Sequence, residues 1–512
     1  MTATPDLSAE ISPLILELNE DGIEPRERQS RLQEITAKYE MHLLEKAVSY
    51  FQATYPIQSA SNILTRPQTY SFIAIAVWLA VMAYLSPEIL PPMISTAYIT
   101  YCLVLALLRC WLLLESVRVP EARAAPPEHK ADYELPVITI LVPLYQEAAS
   151  VPYIHEALSA LDYPQDKLDI KILLEENDLG TEKAARQYFL DTQYHLIVVP
   201  DSAPQTKPKA CNYGLWLARG DLVVVYDAED RPDPDQLRIA AKLFATAPEQ
   251  VACAQARLNY YNPERNGLTR LFTLEYTFLF DTLLPVFCRH NMPIPLGGTS
   301  NFFRTHVLQE IGGWDPYNVT EDADIGLRLS DSSYRTTMLN STTWEEATPD
   351  MRGWLRQRSR WIKGYIQKWL VHLRQPGGSL MSGQFWRKQV TLHFVVASVI
   401  VAALINPIFW LLFVLWLAGF QGIESSFFPE PLGGLAVTSF LLGNFLLVYL
   451  YMIAPLNRRW LQHTPYALLL PLYWLLQSIA GYMALWQLCR NPFYWEKTHH
   501  NPTTEIPTDA PY

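Results

Sequence analysis

The stretch that decides the fold is Val223-Val224-Val225-Tyr226-Asp227-Ala228-Glu229-Asp230, where a run of β-forming residues meets a cluster of acids. A short, continuous, β-branched apolar run is typical of a strand buried on both faces of a parallel sheet. Open parallel sheets bind ligands just beyond the carboxyl ends of their strands. We therefore expect these acids to meet the ligand.

Asp227 and Glu229 are candidates for a metal site. In an extended chain, residues two apart project on the same side, so the two carboxylates can share one hard cation, Mg²⁺ or Mn²⁺, with a diphosphate. The alternative is a solvated turn after a strand, which the following Pro232, Asp233 and Pro234 would also suit.

The residues around this stretch alternate between strand and helix patterns. Predicted strands lie at 137–143, 170–174, 195–199 and 223–226, and predicted helices lie at 150–161, from 181 onward, and at 210–218. This order predicts an α/β, Rossmann-like domain with a parallel sheet and right-handed crossovers. Neither Gly-x-Gly-x-x-Gly nor Gly-x-x-x-x-Gly-Lys follows the first strand, which disfavours dinucleotide oxidoreductases and P-loop ATPases.

The chain of 512 residues also has long stretches almost free of charge, at 69–86, 93–114, 389–423, 431–457 and 461–489. About 20 helical residues cross a hydrocarbon core of roughly 30 Å. The stretch 389–423 is longer than one such helix and has Asn406-Pro407 at its middle. We therefore expect it to form two short helices, which gives six spans, two before the soluble middle and four after it. The first stretch begins too deep in the chain for a cleaved signal peptide.

The cysteines and the charge pattern indicate a compartment. Six cysteines without a Cys-x-x-Cys pair argue against a zinc site or a disulfide scaffold and for a reducing environment. Lysines and arginines are plentiful at 118–130 and 352–388, which places the middle of a multi-pass inner- or plasma-membrane protein in the cytosol. Arg458 and Arg459 break this rule if the chain splits at Pro407, whereas a single span would restore it. The formal charge of -11 gives no reason to expect nucleic acid.

These patterns divide the chain into six parts. Residues 1–65 are expected to be a cytosolic helical region lying against the membrane, with partner binding as the alternative. The remaining parts are two membrane helices at 66–118, a linker at 119–136, a soluble domain at 137–388, a membrane region of about four helices at 389–490 and a tail at 491–512. Within the soluble domain, 268–288 is predicted to lie in the membrane interface, with burial against the core as the alternative.

The second predicted strand also ends on acids. Glu176 is our candidate to receive the ring N–H of a nucleotide base, and an exposed loop acid is the alternative. Lys207 and Lys209 precede the next helix and could approach phosphate, although paired loop lysines are also often merely solvated.

A glycine pair and small polar residues follow at Gly297-Gly298-Thr299-Ser300-Asn301. Glycines let a backbone approach a ligand closely, and hydroxyls and amides bind sugar hydroxyls. Residues 298–301 are therefore candidates to contact an acceptor, and a plain tight turn is the alternative.

Two later motifs carry acid-base and anion-binding groups. Asp322, in Thr320-Glu321-Asp322, could take a proton from an attacking hydroxyl, or it could cap the helix that follows. On a helix, Gln357, Arg360 and Trp361 share one face. An amide, a guanidinium and an indole together suit phosphate binding and sugar stacking, and a basic amphipathic helix at a membrane surface is the alternative.

In this order, inside an insert between membrane helices, the acid cluster, Thr-Glu-Asp and Gln-x-x-Arg-Trp resemble the family 2 processive glycosyltransferases. These include cellulose, hyaluronan and chitin synthases and bacterial exopolysaccharide synthases. The resemblance covers Pro136 to the carboxyl terminus and implies a cytosolic GT-A type catalytic domain inserted between transmembrane helices.

The resemblance also implies roles. Asp227, Glu229 and Asp230 match the metal motif, with glutamate in place of its second aspartate, and Asp227 also matches a nucleotide contact. Glu176 matches the base-contacting aspartate, lengthened by one methylene, and Lys209 is assigned to the nucleotide. Asp322 matches the general base. Gln357, Arg360 and Trp361 match the motif that holds the diphosphate and the acceptor sugar, and Gly298, Thr299, Ser300 and Asn301 match the acceptor-side loop.

The expected reaction is an inverting transfer from a UDP- or GDP-sugar to a growing polysaccharide, which leaves through the protein's own helices. One rival is a single transfer to a lipid carrier, and another is a transporter or receptor whose insert senses a nucleotide. The sugar, the linkage, the oligomeric state and any envelope export partner stay open.

Overall fold

One eight-stranded sheet positions every motif described above. The computed structural model describes residues 8–18, 23–118, 135–191, 193–375, 382–419, 427–429 and 431–493. The strands are β1 Ile138–Leu144, β2 Leu168–Glu175, β3 Tyr194–Val199, β4 Leu222–Val225, β5 Arg231–Pro232, β6 Val251–Tyr260, β7 Asn301–Arg304 and β8 Arg335–Glu345. Their order across the sheet is β3-β2-β1-β4-β7-β6-β8-β5.

The first half of the sheet is parallel, as the sequence predicts. β1 pairs in parallel with both β2 and β4, and β2 pairs in parallel with β3. The second half is mixed, because β7 runs antiparallel to β4 and β6 while β6 and β8 are parallel. The four strands that the sequence predicts all lie in the parallel half, and their parallel pairing is confirmed. A four-residue strand such as β7 is too short for the sequence pattern to reveal its direction.

Helices cover both faces of the sheet. Those before the sheet are α1 Ser8–Glu17, α2 Pro25–Glu45, α3 Phe51–Thr54, α4 Arg66–Leu85 and α5 Leu90–Ser116. Those within the catalytic domain are α6 Val151–Ser159, α7 Leu179–Tyr188, α8 Lys207–Leu215, α9 Gln236–Thr246, α10 Gly267–Phe278, α11 Leu284–Arg289, α12 Thr305–Glu310, α13 Glu321–Asp331 and α14 Met351–His372. Those after it are α15 Gly383–Val390, α16 Ala397–Leu417, α17 Leu432–Ile453 and α18 Leu470–Arg490.

Six helical segments in the described chain are long and apolar enough to cross a membrane. Their number equals the six predicted spans, but their positions differ. The helix Gly383–Leu412 and the rest of α16 run through Pro407 without a break, so the predicted split into two helices is wrong. Proline removes one backbone hydrogen bond, and long helices tolerate this where neighbouring helices compensate.

The sixth segment is Gly267–Arg289, for which the sequence predicts a position in the membrane interface. The structure favours the alternative, burial against the domain, because two thirds of its apolar window is buried, with Phe272, Leu274 and Phe280 in the main core. A turn of π-helix at Leu279–Leu283 interrupts it.

Four of the long helices, or the short turns that continue them, are tied to the catalytic domain at one end. Gln68 donates to the carbonyl of Leu370, Glu115 contacts His290, Lys388 pairs with Asp331, and Arg458 pairs with Asp281. All four helices therefore have one end on the same side, and Arg458 lies on the side of the catalytic domain.

The last helix, α18, lies along α14. Near its start, the Tyr473 hydroxyl donates to Glu275 at 2.7 Å. Just past its end, the Pro492 carbonyl accepts from Gln367 at 3.0 Å, and the Phe493 ring contacts Tyr317. Both ends of the segment predicted to span the membrane at 461–489 thus touch the catalytic domain.

The amino-terminal region is helical, as predicted, but it packs against the catalytic domain. Leu32, Tyr39 and Leu43 belong to the main core, and the Ala47 carbonyl accepts from the Asn212 side chain at 3.2 Å. The expectation that this region lies against the membrane is corrected here, because its apolar stripe is covered by the domain. The linker 119–136 and the tail 491–512 fall almost wholly outside the described residues.

Asp281 and Arg458 give a test of the contact between membrane helices and catalytic domain. Asp281 is fully buried and is held by both Arg257 and Arg458. Arg458→Ala should lower the free energy of unfolding by roughly 1.5–3 kcal/mol, because a buried charge-assisted hydrogen bond is lost. The neighbouring Arg459→Ala is the control, since that side chain is exposed. Thermal unfolding in detergent measures both, and equal midpoints would contradict the assignment.

Candidate active site

One cavity of about 440 Å³ begins at the carboxyl ends of β1, β2 and β4 and continues between the membrane-type helices. Parallel strands present their carboxyl ends at one edge, which is why acids from distant parts of the chain meet there. Its wall includes Asp227, Asp322 and Trp361 on the catalytic side and Tyr98 and Asn406 at the far end.

Lys207 connects the acid cluster to the glycine loop. Its ammonium contacts a carboxylate oxygen of Asp227 at 2.5 Å and donates to the Gly298 carbonyl at 2.7 Å. A Cβ added at Gly298 would lie 3.1 Å from the Asp322 carboxylate. Lys207, Asp227, Gly298 and Asp322 thus converge although the first and last are more than a hundred positions apart in the sequence. The missing side chain of Gly298 leaves room for the Asp322 carboxylate.

The acid cluster carries more negative than positive charge. Burial, followed by repulsion from Asp227 and Glu229, raises the pKa of Asp230 well above its usual range. Burial also raises the pKa of Glu345, with Asp230 and Glu229 adding to the effect. Lys207 opposes the rise for Asp227. Such a cluster favours binding a cation or a proton.

Of the three predicted metal-binding acids, Asp227 and Glu229 line the cavity and Asp230 does not. The Asp230 carboxylate is 1% exposed, accepts from the Asp227 backbone N–H at 2.7 Å and accepts from the Thr299 hydroxyl. Asp230 thus supports the loop from inside through one carboxylate oxygen, and its assignment to the metal stays a prediction. The described residues contain no group of three or more side chains arranged to hold a metal by themselves.

Of the two acids at the end of β2, the structure places Glu175 at the cavity, whereas the sequence pattern favours Glu176. Glu175 lines the cavity, whereas Glu176 lies outside it and accepts from the Asp201 backbone N–H at 2.9 Å. Lys209 is fully buried and pairs with Glu175 at 2.7 Å, so it lines no part of the cavity. The structure therefore does not bring the predicted nucleotide contacts Glu176 and Lys209 to the cavity, where Glu175 and Lys207 lie instead.

Two of the four predicted residues of the glycine loop face the cavity and two do not. Gly298 and Thr299 line the cavity. Ser300 is buried with a left-handed φ of 57° and contacts the Thr343 hydroxyl, and Asn301 begins β7 and donates to the Gly297 carbonyl at 2.7 Å. Ser300 and Asn301 therefore hold the loop and do not line the cavity, and their predicted contact with an acceptor stays a prediction.

Asp322 lies at the start of α13, and both readings of this residue have support. One carboxylate oxygen accepts from the Ala323 backbone N–H at 2.6 Å, and the residue lines the cavity. Burial raises the pKa of Asp322, while the Ala323 N–H, Lys207 and Lys368 oppose that rise. Lys368 is fully buried, and its ammonium makes no hydrogen bond but lies 4.1 Å from the Tyr365 ring centroid.

The predicted face of α14 is observed. Gln357, Arg360 and Trp361 all line the cavity, and the Gln357 side-chain oxygen is buried without a hydrogen-bond partner. Beneath them, Arg358 binds both oxygens of Glu275 at 2.6 and 2.7 Å and lies 4.6 Å from the Trp361 ring centroid. This buried ion pair fixes the orientation of the indole.

Sequence reasoning missed Glu345 and Lys368. Glu345 ends β8, so the rule that identified the acids after β2 and β4 applies to it as well. Lys368 lies two turns after Trp361 on α14, and nothing in the local pattern distinguishes it from the other basic residues of that helix.

Comparison with known proteins then decides the family. The model described as "Glycosyl transferase family group 2" matches residues 222–489, which is more than half of the chain. The chain belongs to this glycosyltransferase family. It is an enzyme with a GT-A-like fold and a mixed sheet, and the part of the chain that the structure describes contains six helices long and apolar enough to span a membrane.

Curated relatives agree with this membership. The transferase is 25% identical over 235 residues to "Probable glycosyltransferase YdaM" of Bacillus subtilis (strain 168), covering 45% of this chain and 56% of that protein. It is 26% identical over 298 residues to "Beta-monoglucosyldiacylglycerol synthase" of Synechocystis sp. (strain ATCC 27184 / PCC 6803 / Kazusa), covering 55% and 59%. The chain thus spans between half and two thirds of the length of these relatives.

Among solved structures, a mannosyltransferase from Pyrobaculum calidifontis in complex with GDP-Man and Mn²⁺ is 19% identical, with a TM-score of 0.49. The match covers 77% of this chain and 99% of that one. At this level the likeness supports no inference about donor or metal.

Glu321 gives a pH test of the site. Burial and the neighbouring Asp322 raise its pKa from an ordinary 4.5 to about 8. The folded transferase therefore binds this proton more tightly than the unfolded chain, and the contribution to stability is lost as pH rises toward 8. Glu321→Gln should match the wild type near pH 4, below the ordinary pKa of the side chain, and be increasingly more stable as the pH rises to 8, as measured by thermal unfolding. Glu34→Gln, at an exposed site, should follow the wild type at every pH, and a parallel pH profile for Glu321→Gln would contradict this assignment.

Proposed function

We propose that this transferase moves a sugar, with inversion, from a nucleotide-diphospho-sugar to a saccharide chain that grows through its membrane helices. The observation that supports this best is the single cavity that begins at the acid cluster and ends at Tyr98 and Asn406. Both the site of transfer and a path for the product would then lie in one continuous space.

The donor would bind at the strand ends. Glu175 is better placed than Glu176 to receive the ring N–H of the base, because only Glu175 lines the cavity. Lys207 and Arg360 would bind the diphosphate, since both cations line the wall and face the acid cluster. The base and the sugar are left open by these contacts.

Asp322 would accept the proton of the attacking hydroxyl. The acceptor oxygen would attack the anomeric carbon on the face opposite the diphosphate, which leaves as its bond to that carbon breaks. Trp361 would stack on the acceptor sugar, with the Gln357 side-chain oxygen accepting from its hydroxyls. Because one displacement inverts the configuration, an α-linked donor would give a β-linked product.

A divalent cation, Mg²⁺ or Mn²⁺, fits the donor set. Asp227 and Glu229 supply two cavity-facing carboxylates in a cluster that carries excess negative charge. Magnesium usually takes one or two carboxylates and completes its shell with substrate phosphate and water, so no larger protein cage is required. When bound, it would neutralise charge on the departing diphosphate.

The catalytic domain would face the cytosol of a multi-pass protein in the inner or plasma membrane. With α16 unbroken at Pro407, Arg458 and Arg459 fall on the side of the catalytic domain, together with the described basic residues of α14. This removes the conflict that the predicted split created.

The membrane part of the cavity wall suits a saccharide. It includes the amides of Asn406, Asn444 and Gln477 and the rings of Tyr98, Tyr101, Phe394 and Trp474. Amides and aromatic rings bind sugar hydroxyls and sugar faces, whereas an acyl chain requires neither. Polar side chains are costly among membrane helices, so their presence along one cavity favours a polar ligand there.

The rival within enzymes is a single transfer to a lipid. It is favoured by the relative named as a diacylglycerol glycolipid synthase and by the Leu, Val and Phe side chains in the same cavity wall. The two proposals differ in product, which is a long saccharide in one and an organic-soluble glycolipid in the other.

Asp322→Asn should abolish transfer while leaving the protein folded, because the amide cannot accept the proton. The measurement is nucleoside diphosphate release from a panel of UDP- and GDP-sugars by purified protein, with thermal unfolding as the folding control. Asp191→Asn, an exposed acid, should keep wild-type release. If Asp322→Asn still turns over, another group is the base.

Ser439 tests the path through the membrane. It is buried and lines the cavity, whereas Thr438 beside it is exposed. Ser439→Trp should shorten the radiolabelled saccharide several-fold on a sizing column, and Thr438→Trp should leave its length unchanged. Wild-type length in Ser439→Trp would refute the path, and label found only in the organic phase would favour the lipid acceptor.

A further inference from the structure

Arg109 is a charged side chain within a helix that otherwise has the composition of a membrane span. It lies on α5 about 10 Å before the helix ends at Ser116, and its side chain lines the cavity. A charge at such a depth is costly, and it is normally balanced by a partner or used by a ligand.

The described residues around Arg109 do not balance its charge. One guanidinium nitrogen donates to the Gly443 carbonyl of α17 at 2.8 Å. The groups that interact with it electrostatically include the thiol of Cys102 and the hydroxyls of Tyr451, Tyr101 and Tyr98, which are neutral at pH 7. The carboxylate of Glu275 also lines the cavity, but Arg358 binds both of its oxygens.

We propose that Arg109 binds an oxyanion, a phosphate or a carboxylate, carried by the molecule that occupies the membrane part of the cavity. A guanidinium presents five donors in a planar arrangement suited to two oxygens, and only one of its nitrogens is engaged with Gly443. This proposal rests on the proposed function and deepens it, because it gives the occupant a negative charge.

A purely structural role is the competing explanation, in which Arg109 only links α5 to α17. A neutral donor satisfies a backbone carbonyl equally well, so this role does not require a charge. The neighbouring polar wall supports a ligand instead. Asn444 lies beside the carbonyl that Arg109 contacts, and Asn406 lies farther along the same cavity.

Two sources of the oxyanion share this chemistry. In the first, acidic sugars or phosphates belong to the saccharide itself, which passes Arg109 as it leaves the site. In the second, the phosphate belongs to a lipid whose head group enters the cavity. The acid cluster and Arg109 then lie at different places along one cavity, and each binds a charged part of what occupies it.

The test uses the full-length protein in neutral detergent and two single-chain probes, dodecyl phosphate and dodecyl maltoside. Thermal stabilisation gives the apparent affinity for each. Arg109→Gln, which keeps an N–H donor but loses the charge, should weaken dodecyl phosphate binding at least ten-fold. Arg109→Lys, which keeps the charge but loses the planar pair of donors, should bind with an affinity between those of the wild type and Arg109→Gln. Dodecyl maltoside should not distinguish the variants. Arg118→Gln, a substitution of an exposed arginine beyond α5, is the control and should bind as the wild type.

Equal dodecyl phosphate affinity in the wild type and Arg109→Gln would overturn the proposal, whatever the enzyme's product is. If Arg109→Gln does not fold, two other results can overturn the proposal. One is equal dodecyl phosphate affinity in the wild type and Arg109→Leu, and the other is complete loss of dodecyl phosphate binding in Arg109→Lys. Native mass spectrometry that shows a phosphate-bearing lipid retained by wild type and lost in Arg109→Gln supports the lipid source. Uronate or phosphate in the saccharide product, with shorter chains from Arg109→Gln, supports the saccharide source.

Discussion

Charge imbalance at the carboxyl edge of the sheet is the constraint on which the site depends. Carboxylates end β2 and β8 and follow β4, and Lys207 contacts Asp227 directly while also donating to the Gly298 carbonyl. Because Lys207 starts α8, the position of this helix sets where the acids and the glycine loop meet. Asn212, on the same helix, bonds to the Trp314 backbone and to the amino-terminal region, so the support extends well beyond the cavity.

Much of the catalytic half could be predicted because its signals are periodic. Continuous β-branched runs located β1, β2 and β4, and helical spacing placed Gln357, Arg360 and Trp361 on one face of α14. What could not be predicted was which of two adjacent residues faces the cavity. Glu175 and Glu176 carry the same chemistry, and only the twist of the strand end and the pairing of Lys209 with Glu175 decide between them.

The membrane half shows a different limit. Hydropathy detects length and apolarity but does not report what covers a helix. Gly267–Arg289 and α18 both pass such a criterion, although the first is largely buried in the domain and the second touches that domain at both ends. Pro407 is predicted to end a helix, but α16 continues through it. The rule that proline ends helices comes from water-exposed segments, whereas neighbouring helices support the chain here.

The position of α18 connects the exposed surface of the protein to the cavity wall. One of its sides packs on α14 through Ala480 and Ala484, and its other side presents Leu472, Ile479 and Trp486 outward. Tyr473 shares Glu275 with Arg358, which lies against the Trp361 ring. These contacts connect α18 to the Trp361 indole without passing through the sheet, so a displacement of α18 would reach the indole before it reached any strand.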